Sequence, residues 1–243
     1  MGWLAFVVMC VAACGRVDFD TATHTSDAAP MVDAGISPIH RYRFAGNLDD
    51  DFGGPSLTAS GTTAFTANGA SFTMRSGFTV DGATPQGVYT IETILQFDDL
   101  SDWRKVIDFD HYTKDTGFYG YKDAIQQVIV PSVDFLTAPA TLADATMFRA
   151  TLVRDSNGLV TAYLDGTLLT GNRASSPEPP TAGALATFAF DDSAIQSAMF
   201  SSTFASWFVD DTPTNGNESS SGTVRQITIW DVPLDAEQVA ANH

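Results

Sequence analysis

The chain has 243 residues, enough for one large all-β domain or two small ones. Its 29 Asp and Glu against 12 Lys and Arg give a formal charge of −17, which argues against binding nucleic acid and against electrostatic docking on anionic lipid. The hydrophobic fraction, 44%, is that of a globular protein with a buried core, and the acidity leaves cations and neutral glycans as compatible partners.

The first element in chain order is an apolar run, residues 3–13. It is too short to span a bilayer as a helix, which takes about 20 residues. It reads as the hydrophobic part of a secretory signal, residues 1–13, ending in small residues. Val11-Ala12-Ala13-Cys14 resembles the lipobox of bacterial lipoproteins: an aliphatic residue, two small ones, then cysteine. That resemblance implies cleavage before Cys14, a diacylglycerol on its thiol and acylation of the new amine. Two or more acyl chains anchor stably where one is marginal. Cys10 follows Val7-Val8-Met9, a poorer match because Met is not small. The competing reading is a buried N-terminal segment of the fold. With Cys14 lipidated and Cys10 removed, no disulfide or cysteine metal site remains.

Residues 14–38, the lipidated cysteine and "GRVDFDTATHTSDAAPMVDAGISP" after it, are rich in Ala, Asp, Thr, Ser and Pro. Such a stretch buries too little apolar surface to offset its ordering entropy, so it reads as a flexible acidic tether. From residue 39 the texture changes to short runs rich in Phe, Tyr, Val, Ile and Thr between Gly, Asp, Asn and Pro clusters. Strands are expected at 40–44, 89–97, 105–109, 117–121, 125–130, 148–154, 160–164, 185–190, 204–209 and 224–230. Short ones are expected at 71–74 and 77–80. Alternation places Ile91, Leu95 and Phe97 on one face of the second strand, opposite Glu92, Ile94 and Gln96. "RDSNGLV" reads as a hairpin turn with Asn157-Gly158 at positive φ, and "YLDGT" as a strand running into a second turn. The helix signal is at 233–242, with Asp235 as N-cap. This density of strands points to a sandwich or barrel rather than βαβ units.

Four stretches carry a further resemblance: "HRYRFAGNLDDDFGG", "TIETILQFDDLSDWRKVIDF", "ATLVRDSNGLVTAYLDGTLL" and "FVDDTPTNGNESSSGTVRQITIWDVPLDAEQVAA". In order and spacing they resemble the laminin-G-like, or concanavalin A-like, jelly-roll superfamily of bacterial surface proteins, over residues 39–243. The resemblance implies an all-β, antiparallel two-sheet β-sandwich with a short C-terminal helix. It also implies a range of roles, from glycan binding and adhesion to glycoside hydrolysis, so fold does not settle activity.

The residues bear on that choice. Retaining glycosidases hold two carboxylates about 5 Å apart, and no Glu-x-Asp-x-x-Glu string is present. Asp108 and Asp110 have alternate spacing but no companion Glu. His24, His40, His111 and His243 form no triad, and Ser219–Ser221 lack a nucleophile elbow. The chain reads as no enzyme. Asp210, Asp211, Asn215, Asn217 and Glu218 gather oxygens in one loop, as hard Ca²⁺ requires, so Ca²⁺ is the expected cofactor there. The plainer reading of these and the other Asp pairs is turn chemistry, with side chains bonding backbone amides. Asn217-Glu218-Ser219 fits a glycosylation sequon that a bacterial lipoprotein does not use. Sugar faces stack on aromatic rings, which makes Trp103, in the loop before a strand, and Tyr112, Tyr119 and Tyr121 the expected glycan-binding residues. Core packing competes for Trp103, Trp207 and Trp230. The expected protein is a lipid-anchored component of the bacterial cell envelope, at the outer membrane or cell surface. It binds a glycan or a surface protein without catalysis. A glycoside-active enzyme and a purely structural envelope component are the alternatives.

Overall fold

The computed structural model describes residues 35–242 except 86, 110, 114–115, 122–123, 130–131, 138–141, 158, 175–189, 192–202 and 212–216. The signal, Cys14, the tether up to residue 34, Asp110, Gly158 and Asn215 lie outside the described residues. Ser37–His243 form a compact unit.

In chain order the strands are β1 (His40–Tyr42), β2 (Thr58–Ser60), β3 (Thr63–Thr66), β4 (Gly69–Phe72), β5 (Gly77–Val80), β6 (Tyr89–Phe97), β7 (Trp103–Asp108), β8 (Thr116–Tyr121) and β9 (Ala124–Ile129). Then come β10 (Ser132–Thr137), β11 (Phe148–Arg154), β12 (Leu159–Leu164), β13 (Thr167–Leu168), β14 (Thr170–Ala174), β15 (Phe190–Asp191), β16 (Ala205–Trp207) and β17 (Gly222–Trp230), followed by helix α1 (Ala236–Ala241). The first sheet runs β13-β12-β11-β6-β17-β4-β3, with β1 also on β17 and β15 also on β12. The second runs β14-β10-β9-β8-β7-β16-β5-β2. Every described pairing is antiparallel and neither sheet closes on itself, so the fold is the expected all-β two-sheet sandwich.

Alternation builds the core between the sheets. Ile91, Leu95 and Phe97 of β6, with Ile227 and Ile229 of β17, face Phe78, Ile107, Phe118 and Trp207 of the second sheet. Phe72 stacks flat on Phe208, centroids 4.2 Å apart, and Phe97 meets Phe72 edge-on at 6.2 Å. On the other side of the first sheet, Val153, Tyr163, Trp230, Leu234 and Val239 form a second apolar cluster. Here α1 begins at the expected N-cap. Asp235 accepts from the Gln238 backbone N–H, and the Gln238 side chain accepts from the Asp235 N–H, a reciprocal capping box. Thr90 ties this segment to β6, donating to the Val232 carbonyl and accepting from the Leu234 N–H.

The pattern does not announce β2, β3, β10, β13 or β14. Of the strand expected at 185–190, only Phe190 is described, and it lies in β15. The turn after β12 is a two-residue loop with Asp165 at φ 48° and Gly166 at φ 75°. β7 begins at Trp103, not at Lys105, so Trp103 belongs to the sheet and not to the loop before it.

A bulge in β7 decides which of its side chains share a face. Lys105 pairs with Tyr119, but Ile107 pairs with Phe118, so one extra residue is inserted at Val106. Val106 and Ile107 both reach the core, while Lys105 and Asp108, three residues apart, share the face turned away from the first sheet. Gly117 permits this close approach: at φ +138° its Cβ would lie 2.4 Å from the Ile107 carbonyl oxygen.

Candidate functional site

The outward face of β7 and β8 carries Trp103 and Lys105 opposite Tyr121 and Tyr119. Lys105 is fully enclosed. Its Nζ lies 2.7 Å from Asp211 Oδ2, 3.7 Å from Asp108 Oδ2, and 4.6 Å from the centre of the Tyr119 ring. The Tyr119 hydroxyl reaches the same Asp211 oxygen at 3.4 Å. An ammonium is thus held by two carboxylates and the face of an aromatic ring.

The acidic loop is tied to the same strand at both ends. Phe208, at φ 68°, turns the chain away after Trp207 while its N–H still donates to the Val106 carbonyl. The loop returns where the Lys105 N–H donates to the Glu218 carbonyl at 2.9 Å. Asp210 closes the neck: Oδ1 accepts from the Asp211 N–H at 2.8 Å and Oδ2 from the Glu218 N–H at 3.0 Å. Carboxylate oxygens of Asp210, Asp211 and Glu218 lie within 4.8 Å of one another, a spacing that a cation can bridge. Asn217 sits exposed in the same turn, and Asn215 is outside the described residues. The loop expected to gather acids therefore does so.

Three of the four expected aromatic residues also come together. Trp103 packs against Tyr121 at 4.8 Å and meets Tyr119 edge-on at 5.6 Å. Trp103 and Tyr121 are half-buried, whereas Tyr119 is completely buried, so Tyr119 cannot touch a ligand as expected and instead packs edge-on against Trp103. Tyr112 belongs to a different group. It meets Phe204 edge-on at 5.6 Å, and His111 stacks on the same ring at 4.0 Å. His111 and Tyr112 are consecutive non-glycine residues in the left-handed region, at φ 52° and 61°. Asp108 Oδ1 holds this bend by accepting from the Tyr112 N–H at 3.3 Å. Burial pushes the Tyr112 phenol up to about 12, and the Asp108 charge adds to the rise.

Lys105 is a functional candidate that the sequence pattern does not single out, and Asp108, weighed in the sequence only as a partner of Asp110, stands beside it. Their signal is a lysine inside an apolar strand, "WRKVIDF", with an acid three positions on. The bulge that makes three the matching interval is not legible from the string. Trp207 and Trp230 are core residues; Trp207 Nε1 donates to Thr93 Oγ1 at 3.1 Å inside the sandwich.

No family model matches this chain, and no curated protein matches it in sequence. Solved structures do. Domain 4 of AbnA, a GH43 extracellular arabinanase from Geobacillus stearothermophilus in complex with arabinotriose, superposes with a TM-score of 0.57 at 14% identity, covering 84% of this chain and 97% of that one. Trypanosoma rangeli sialidase in complex with 2,3-difluorosialic acid gives 0.56 at 12% identity, covering 84% of this chain and 32% of that one. The botulinum neurotoxin serotype D binding domain gives 0.51 at 11% identity, covering 85% of this chain and 51% of that one. This chain thus spans about a third of the sialidase and half of the toxin domain. The likenesses establish a shared two-sheet sandwich.

Proposed function

We propose that this is a lipid-anchored cell-envelope protein whose sandwich domain binds a glycan without cleaving it. The observation that carries the reading is the half-open Trp103–Tyr121 pair on the outward face of the second sheet, braced by Tyr119 and bordered by the loop of Asp210, Asp211 and Glu218. Aromatic faces take the apolar side of a sugar ring, and the exposed Asn217 in the neighbouring loop is a candidate hydrogen-bond partner for its hydroxyls. The fold's kinship with a domain solved holding arabinotriose supports a neutral oligosaccharide as the first ligand to try. The acids of the loop are within glycosidase spacing of one another. However, both Asp210 oxygens accept backbone amides and Asp211 is engaged by Lys105, an arrangement suited to holding a loop rather than transferring protons. Anchoring rests on the lipobox-like Val11-Ala12-Ala13-Cys14.

A glycan array that includes arabinotriose and other neutral oligosaccharides, probed with the full chain, tests the binding. Trp103→Ala and Tyr121→Ala are expected to lose the signal by at least tenfold while remaining folded. An array with no hit, or variants that bind as well as the parent, overturns it. Release of sugar from a bound oligosaccharide would favour the enzymatic alternative, and absence of any ligand the structural one. Cys14→Ser is expected to abolish fatty-acid labelling and membrane retention; unchanged labelling refutes the anchor.

A further inference from the structure

The side chains of Lys105, Asp108 and Asp211 are fully enclosed, with Lys105 Nζ 2.7 Å from Asp211 Oδ2 and 3.7 Å from Asp108 Oδ2. Taking an ammonium and two carboxylates out of water is costly, and their mutual attraction repays that cost only in part. An amine and a carboxyl group held in contact can also react with each other. Condensation to an amide replaces two buried charges by one neutral bond. We propose that Lys105 and Asp211 are the precursors of an intramolecular isopeptide bond, and that Asp108 carries the protons that its formation requires.

The chemistry balances without a co-reactant. The ammonium passes one proton to Asp108, and the freed lone pair attacks the Asp211 carboxyl carbon to form the C–N bond. A second proton then leaves the nitrogen. Both protons reach the oxygen that departs as water when its C–O bond breaks. Nothing is oxidised or reduced, and Asp108 ends as the carboxylate it was at the start. The fold holds these groups in place. β16 pairs with β7, Ser206 with Asp108 and Trp207 with Ile107, and the antiparallel pairing brings Lys105 and Asp211 to the same end of that ladder. Their main chains are tied there, since the Lys105 N–H donates to the Glu218 carbonyl and the Asp211 N–H to Asp210 Oδ1. Fixing the partners in contact turns a bimolecular encounter into an intramolecular one. The Tyr119 hydroxyl donates to Asp211 Oδ2 at 3.4 Å and draws electron density from the carboxyl under attack, while its ring covers the nitrogen at 4.6 Å. Asp108 is aimed by its other oxygen, Oδ1, which accepts from the Tyr112 N–H at 3.3 Å. Exclusion of water also protects the product amide from hydrolysis. The bond closes the chain over 106 positions and pins the acidic loop beside Trp103 and Tyr121.

Mass spectrometry of the full chain tests the bond. The parent, Lys105→Met and Asp108→Asn are held folded at neutral pH, then denatured and digested with trypsin. In the parent, cleavage after Lys105 is expected to be blocked. Segments 105–114 and 174–225 are expected to appear as one branched peptide, lighter than their sum by one water. Lys105→Met has no amine at that position and is expected to yield the two segments separately. Asp108→Asn keeps the Lys105–Asp211 pair but not the proton carrier. A positioned proton carrier contributes about 10²–10⁴-fold in rate, so this variant is expected to show little branched peptide at a time when the parent is complete. Its near-ultraviolet circular dichroism checks that it is folded. Separate linear segments in the folded parent overturn the proposal, whatever water is lost elsewhere in the chain. The parent alone can give that result, so a variant that fails to fold does not shield the proposal. A branched peptide that persists in Lys105→Met would put the link elsewhere and overturn it too, as would an equal yield in folded Asp108→Asn.

Discussion

The turn at residues 48–54 and the loop that opens at Asp210 are both acidic and each carries a buried aspartate, Asp50 and Asp211, but they are held by different means. Asp50 draws its donors from its own neighbourhood. Oδ1 accepts from the N–H of Arg41 at 2.8 Å and of Phe52 at 3.3 Å; Oδ2 accepts from the N–H of Gly54 at 2.8 Å and lies 2.8 Å from His40 Nδ1. Gly54 is needed for that approach, since a Cβ there would lie 2.5 Å from Asp50 Oδ2. Burial pushes the Asp50 carboxyl up, but these hydrogen bonds outweigh it and hold the group below its ordinary range. Asp211 instead relies on a side chain 106 residues away. The first is a local cap that a short peptide could nearly assemble. The second is a long-range tie that exists only once β7 and the loop have met, and it links the loop to the aromatic pair through Tyr119.

The largest expected effect comes from breaking the long-range tie. Asp211→Ala leaves the Lys105 ammonium enclosed without its nearest partner, which costs about 3–5 kcal/mol. Asp50→Ala leaves partly buried amides without an acceptor, but water reaches parts of that turn, so about 1–3 kcal/mol is expected. Urea unfolding of the two variants beside the parent measures both. Equal losses would show that a lysine-centred loop and an amide-centred turn are energetically the same device.

The same contrast explains what was legible in the sequence. β6 and β11 follow from alternation because each has one face on the core, and the turn at Asp165-Gly166 follows from residue types that accept positive φ. The acidic loop could be read as a cluster because its members are neighbours in the chain. β2, β3 and β13 escaped because they are two to four residues long, with little apolar content to reveal a period. Lys105 escaped because its role depends on a bulge and a distant loop, neither of which leaves a local mark. The sequence placed Trp103, Tyr119 and Tyr121 in one candidate group and the structure keeps them together. Tyr112 departs, because the bend at His111 carries it toward Phe204.

A pH series sharpens the comparison at the local turn. Asp50 has a depressed folded-state pKa, so its contribution is fully present above the unfolded value of about 3.9 and is lost as pH falls through the lower folded value. Asp50→Asn keeps one acceptor oxygen and cannot ionise. It is expected to be less stable than the parent at pH 7, with the deficit shrinking below about pH 4. Parallel stability curves for the two proteins, down to acid unfolding, would show that the charge of Asp50 contributes nothing.

The smallest expected effect isolates the side-chain partner in each region. His40 stands to Asp50 as Lys105 stands to Asp211: 2.8 Å and 2.7 Å separate the two pairs. Their surroundings differ. Asp50 keeps three backbone amides when the imidazole is removed, and His40, with 14% of its side chain exposed against none for Lys105, leaves a gap at the surface that water can enter. A hydrogen bond that solvent can substitute contributes about 0.5–1.5 kcal/mol, so His40→Ala is expected to cost about 1 kcal/mol, less than Asp50→Ala. The corresponding deletion at Lys105 strands carboxylates that are closed off from solvent, and its cost is expected to match that of Asp211→Ala. The ordering of the four single variants thus separates a turn whose backbone holds the acid from a loop whose side chain holds it. If His40→Ala proved as damaging as Asp50→Ala, the imidazole would be the principal support of the turn, and the amides would merely follow the fold that the pair imposes.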